Sequence, residues 1–290
     1  MTRGRRPRPR AGPGSHSGRD AAHRRYLDAY AQHTRAADLE ERLAAAWPAR
    51  SLLELDGWRL RLGPGLPAVA ASAWPRADGG RVPLRVRLEG TARFYHESGL
   101  PARVLVGPAA RPAGLDEALA QRGWRREQPH QLRTAPMATL RAPRRDGALT
   151  VTTWTTAAGD APPAGWLAAW AQQQGRTVVE REGAAAALAR VSAPARWAWA
   201  SDAGVGLGVA RGVLDGGWLG LADLDAASEE VGAALLADLL AWARTRGAEH
   251  AWWLVPEGSA LAERLAREAG LRAERSLHLR VLPPSTPRRC

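Results

Sequence analysis

The 290-residue chain has no lysine, no asparagine and no isoleucine, and only one phenylalanine, three tyrosines and two methionines. These six types have AT-rich codons, so the gaps mark a GC-rich coding sequence, as expected of a high-GC bacterium. Part of the arginine and tryptophan content is then codon drift rather than selection for a ligand. Without lysine there is no P-loop and no Schiff-base chemistry. The single cysteine is the last residue, Cys290, which excludes an internal disulfide framework and a cysteine zinc site. It fits a reducing compartment, and the cytoplasm is the expected location. The seven histidines show no i, i+4 pair and no HExxH, so no metal site is expected. No run of about 18 apolar residues exists to span a membrane, and the basic N-terminus lacks the apolar stretch of a signal peptide. GxSxG is also missing.

What is present begins with charge. All 41 basic residues are arginine and the net charge is +12. Residues 1–25 carry eight arginines against Asp20, the last eight residues add Arg288 and Arg289, and the body between them is left near +3. Any nucleic-acid contact is therefore expected in residues 1–25, weak, independent of sequence and steeply salt-sensitive. Residues 1–19 hold arginine, proline, glycine and serine with almost nothing to bury, and read as a disordered tail.

From Asp20 the pattern turns helical as far as Trp47, where Pro48 stops it. Segments at 52–62, 82–88, 103–106 and 125–133 have strand character, with helices over 91–98 and 115–122 between them. Residues 142–148 (APRRDGA) read as a linker. A strand at 149–154, helices over 165–174 and 184–191, and strands at 196–201, 205–213 and 218–224 follow. The longest helix spans 229–246 and stops at Gly247; strand 249–255, helix 259–269 and strand 274–282 complete the chain. The glycines of GVGLG at Gly204–Gly208 read as strand or bulge positions where a neighbouring backbone comes close. LDEALAQRGWRRE from Leu115 matches LAERLAREAGLRAE from Leu261, and Gly99 with the strand ARVLV after it matches Gly247 with AEHAWWLV. Both offsets are about half the chain. The expected organisation is an α/β chain of two copies, 20–141 and 149–284, each a central mixed sheet flanked by helices, with a short tail at 285–290.

The order strand (GWLGLADL), turn, helix (EEVGAALLADLLAWARTRG), strand (EHAWWLV), helix (SALAERLAREAG) and strand resembles the GCN5-related N-acetyltransferase (GNAT) family over about residues 196–282. A fainter copy over 39–133 makes the resemblance one to the tandem members. The resemblance implies acetyl-CoA as co-substrate, its pyrophosphate at the N-terminus of the long helix. Residues in the matching positions are Leu224, Ser228, Glu230, Val231, Gly232 and Ala233, with Ser259 where an asparagine is common. The family turn Arg/Gln-x-x-Gly-x-Gly/Ala is matched only at Gly232: Ala227 replaces the basic residue and Glu230 the first glycine. Glu229 and Glu230 complement the helix dipole but repel a pyrophosphate, and Ser228 alternatively reads as a simple N-cap. Ala266 stands where the family often has a tyrosine. Asp223 and Asp225, ending the strand before that helix, and His250 on the next strand are candidate proton acceptors. The leading expectation is an acyl-CoA-dependent N-acyltransferase acting on a small-molecule amine. The alternative is a degenerate GNAT fold kept as a binding or scaffold module.

Overall fold

Glycine turns and proline stops divide the chain into short strands and amphipathic helices. The computed structural model describes residues 34–78, 80–143, 149–202 and 205–284. The expectations for residues 1–33, for most of the 142–148 linker and for the last six residues lie outside the described residues. Helix α1 (34–46) leads into β1 (Ser51–Leu55), β2 (Trp58–Leu62), β3 (Ala73–Pro75), α2 (Leu84–His96), β4 (Ala102–Val106), α3 (Leu115–Ala120) and β5 (Arg125–Pro136). The rest runs β6 (Thr150–Thr156), α4 (Ala164–Gln173), α5 (Val178–Leu188), β7 (Ala195–Asp202), β8 (Val205–Asp215), β9 (Trp218–Ala226), α6 (Glu229–Thr245), β10 (His250–Pro256), α7 (Ala260–Glu268) and β11 (Arg272–Leu282).

Two local expectations are corrected. The segment 82–88 alternates arginine with apolar residues and reads as a strand, but from Leu84 it is the start of α2. Its buried residues, Arg87, Leu88, Thr91 and Tyr95, follow a helical stripe. Arg87 belongs to that stripe because its guanidinium lies over the Trp58 ring at 5.4 Å. Helix α5 begins six residues before the expected 184, because Thr177 and Glu180 form a reciprocal capping box. By contrast, Gly206 and Gly208 do lie in a strand. A Cβ on Gly208 would stand 2.6 Å from Val231 Cγ1 and 3.0 Å from the Asp225 carbonyl oxygen, so α6 presses directly on the sheet there.

The expectation of two separate sheets is also corrected. The eleven strands of the described residues form one sheet in the order β1-β2-β3-β4-β11-β5-β10-β9-β8-β7-β6. The merger comes from the last strand of each half. β5 leaves its own half to pair with β10, β11 crosses to pair with β4, and the two pair with each other at the centre. Outward from that centre, each side has one antiparallel neighbour, then one parallel pair, β10–β9 or β4–β3, then antiparallel strands. One face is covered by α1, α4 and α5 around Leu39, Trp166, Trp170, Trp197 and Leu279. On the other face α6 and α7 cover one wing around Leu235, Leu239 and Trp253, while α2 and α3 cover the other around Trp58, Tyr95 and Leu119. No described helix is long and apolar enough to cross a membrane.

Candidate active site

The two parallel pairs are the places where the sheet opens. β9 and β10 pair from Trp218–His250 only as far as Leu221–Trp253. Beyond that point β9 carries a bulge: the register with β8 steps from Arg211–Ala222 to Val209–Asp225, one residue too many on β9. Asp223 in the bulge takes φ +53°, a left-handed conformation uncommon for a non-glycine residue. β10 meanwhile stays on β5, with Leu254 opposite Leu132 and Pro256 opposite His130. The two strands part, and a cavity of about 230 Å³ fills the gap. Leu221, Leu224, Trp252 and Leu254 wall it from the strands, Trp47 and Val69 close it from the first half, and Ser259 bounds it from α7.

Of the expected proton acceptors, Asp223 alone lines this cavity. Its carboxylate is held by Arg211 Nε at 2.7 Å, and Arg211 is itself fully buried. That guanidinium also donates to the Ala46 carbonyl at 2.8 Å and lies between Trp47 and Trp197, 4.7 and 5.5 Å from their rings. Burial pushes the Asp223 carboxyl above the ordinary range, with Arg211 working against it. Asp225 sits on the α4 side of the sheet, where Gln174 Nε2 donates to it at 2.6 Å. His250 is at the opposite end of β10, stacked on Trp218 at 4.6 Å. It is not among the residues that line the cavity, which on β10 begin at Trp252.

The residues expected at a cofactor divide in the same way. Leu224 and Ser259 line the cavity, and Ser259 caps α7 by accepting from Ala262 N–H. Ser228 caps α6: its Oγ accepts from Val231 N–H at 3.3 Å and its carbonyl from Gly232 N–H at 3.0 Å. Donors left over in the first turn are therefore those of Glu229 and Glu230, not those of Val231 and Gly232. Gly232 has a packing reason of its own, since a Cβ there would meet Leu265 Cδ1 of α7 at 2.5 Å. Arg264 of α7 pairs with Glu229 at 2.7 Å, so the first turn carries less negative charge than its sequence implies. Ala233 and Ala266 are simply buried between the helices and the sheet.

One cavity residue has no signal in the sequence. His130, on β5 of the first half, faces the gap because β5 has crossed to β10. Its Nδ1 lies 2.6 Å from the carbonyl oxygen of Gln128, which is itself at φ +47°. Burial holds the ring's pKa below its ordinary value.

The corresponding opening in the other wing, between β3 and β4, pairs only at Ala73–Val104 and is plugged by α1. Glu40, 5% exposed, enters there to meet Arg76 at the end of β3, and its Oε1 would lie 3.0 Å from a Cβ on Gly107 beyond β4. Arg76 favours the carboxylate form, but burial outweighs it and raises the pKa to about 7, against 4.5 for a free side chain. The folded state thus holds a proton that the unfolded chain releases, so this contribution is full below pH 4.5 and is lost as pH rises through about 7. Glu40→Gln is expected to remove that slope, worth about 3 kcal/mol in all. Urea unfolding at pH 5 and pH 8 checks it; equal slopes in native and variant would contradict the assignment.

No group of three or more histidine, cysteine, aspartate or glutamate side chains arranged for a metal occurs among the described residues. The fold recurs in solved structures. A GCN5-related N-acetyltransferase from Kribbella flavida superposes with a TM-score of 0.59 at 15% identity, covering 87% of this chain and 95% of that one. A functionally unknown conserved protein from Staphylococcus epidermidis gives 0.53 at 8% identity, covering 81% and 94%. A tandem GNAT protein from the clavulanic acid biosynthesis pathway gives 0.52 at 12% identity, covering 70% of each chain. Among curated proteins none matches the sequence. The family model described as "Probable histone acetyltransferase Rv0428c C-terminal" matches residues 34–278. The chain belongs to that family, and with it to the GNAT acetyltransferases.

Proposed function

We propose that the chain is an acyl-CoA-dependent N-acyltransferase whose acyl site is the gap between β9 and β10, and whose acceptor is a small apolar amine. The observation that carries this reading is the bulged parting of the parallel pair around an apolar cavity. Beyond Leu221 and Trp253 the facing strand edges have no partner in register, which leaves backbone donors and acceptors for a ligand and for polarising a thioester carbonyl. The co-substrate supplies an activated acyl group. Leu224 and Ser259 would flank it, and the N–H groups of Glu229 and Glu230, with Arg264 beside them, would meet its phosphates. Leu43, Trp47, Val69, Trp252 and Leu254 make a dry wall that suits an apolar amine better than a charged polymer.

The two wings are read as copies of one unit, 20–141 and 149–284, that have exchanged their final strands. The matching sequence of antiparallel and parallel pairs on the two sides of β11–β5, with one more strand on the β5 side, supports this. Of the two parallel-pair openings among the described residues, the β9–β10 gap is then the one left free, because Glu40 fills the β3–β4 opening. The scaffold reading is favoured by two observations: Glu230 stands where the family turn has glycine, and Ser228 satisfies the donor of Val231.

Thiol release from acetyl-CoA, measured against a panel of primary arylalkyl and alkyl amines, tests the proposal. Turnover is expected with the native chain and a loss of at least tenfold with Leu254→Trp, which narrows the cavity from the β10 wall. No release with any amine would favour the scaffold.

A further inference from the structure

The geometry points to His130 as the catalytic proton acceptor of this site, supplied to the second wing by the exchanged strand of the first. The inference rests on the acyltransferase reading above. A carbonyl oxygen can only accept, so the 2.6 Å contact with Gln128 requires the proton to be on Nδ1 of the neutral ring. The lone pair is then on Nε2, which has no hydrogen-bond partner among the described residues, and the ring lines the cavity. Gln128 reaches His130 because its own backbone is at φ +47°, so a local distortion sets the tautomer. Strand pairing holds the ring in place from both sides, opposite Pro256 of β10 and Leu277 of β11.

The other acids and bases around the cavity are committed elsewhere. Asp223 is tied to Arg211, and Glu257, the charge nearest His130 from the end of β10, accepts from Gln131 Nε2 at 2.7 Å. Burial, which outweighs the Gln128 hydrogen bond and the pull of Glu257, holds the His130 pKa below its ordinary value and so favours the neutral ring. In the reaction the amine nitrogen forms the amide bond to the acyl carbon as the carbon–sulfur bond breaks. The proton lost by nitrogen passes to His130 Nε2 and from there to the thiolate sulfur, so charge and protons balance.

The test uses the full chain and two independent readouts. Ring nitrogen-15 spectra of the ¹⁵N-histidine-labelled protein are expected to show, at pH 7, a His130 signal with Nδ1 protonated and Nε2 bare, absent in His130→Gln, and shifted at Nε2 when acetyl-CoA is added. A protonated Nε2, or one indifferent to acetyl-CoA, overturns the inference. In kinetics with the best amine of the panel, His130→Gln is expected to lower kcat/KM about 100-fold and to abolish the acid limb of the pH profile, with the Kd for acetyl-CoA within twofold of native. An unchanged profile in a variant that still binds acetyl-CoA overturns the base and leaves the acyltransferase reading standing. Failure of the native chain to bind acetyl-CoA overturns both.

Discussion

Arg211→Met is expected to destabilise the protein by about 4 kcal/mol at pH 7.5, because it leaves the Asp223 carboxylate buried without a counter-charge. The side chain of Arg211 is 0% exposed and that of Asp223 is 6% exposed, so bulk water compensates little for the missing partner. Methionine keeps the length and the apolar stem but loses the bond to the Ala46 carbonyl and the stacking on Trp47. Asp223 already has a raised pKa, and without Arg211 it should rise further. Its protonated form escapes the penalty, so the cost should shrink as pH falls towards 5. The double variant Arg211→Met with Asp223→Asn removes both charges and should recover about half of the loss. Guanidinium unfolding of the three proteins at pH 5 and 7.5 decides the matter. A single variant as stable as the native chain at pH 7.5 would contradict a buried Asp223 carboxylate that depends on Arg211.

Gly65→Ala should cost a similar amount, for a reason independent of charge. Gly65 has φ +74°, and a Cβ on it would stand 1.9 Å from the carbonyl oxygen of Glu180 in α5. From the other side, a Cβ on Gly183 would lie 2.4 Å from the Pro64 carbonyl oxygen. Loop and helix therefore meet backbone to backbone, and neither can yield by turning a side chain. The left-handed backbone costs alanine about 1 kcal/mol and the displaced contact about 2–3 more. At roughly 3 °C per kcal/mol for a chain of this size, Tm should fall by about 10 °C. The same loop supplies Pro67, Val69 and Ala70 to the cavity, so the site should loosen with it. A melt within 2 °C of native would show that the two halves are not locked at this point.

Elements whose information is local were legible in the residues. Helix α6 announces itself through Ser228, two acids in its first turn, a long apolar face and Gly247 after its end. The 82–88 segment misled because alternating arginine normally marks a solvent-facing strand, whereas Arg87 is stacked on an aromatic ring inside the protein. The single sheet was not legible, since strand exchange depends on pairing across more than a hundred residues, as between Ala102 and Leu282. Asp223 is legible as an acid near the end of a strand, but its partner Arg211 is visible only through the bulged register of β8 and β9. His130 was missed altogether. It is three-dimensional in every respect: a strand that changes halves, a distorted neighbour, and a gap that two other strands create.

The most direct measurement of the central claim is calorimetric titration of acetyl-CoA into the native chain and into Leu254→Trp. One binding event per native chain is expected, because the β9–β10 gap is open while Glu40 plugs its counterpart, with at least tenfold weaker binding by a variant that melts within a few degrees of native. Two events per chain, equal affinities in the two proteins, or no heat from the native chain would contradict it.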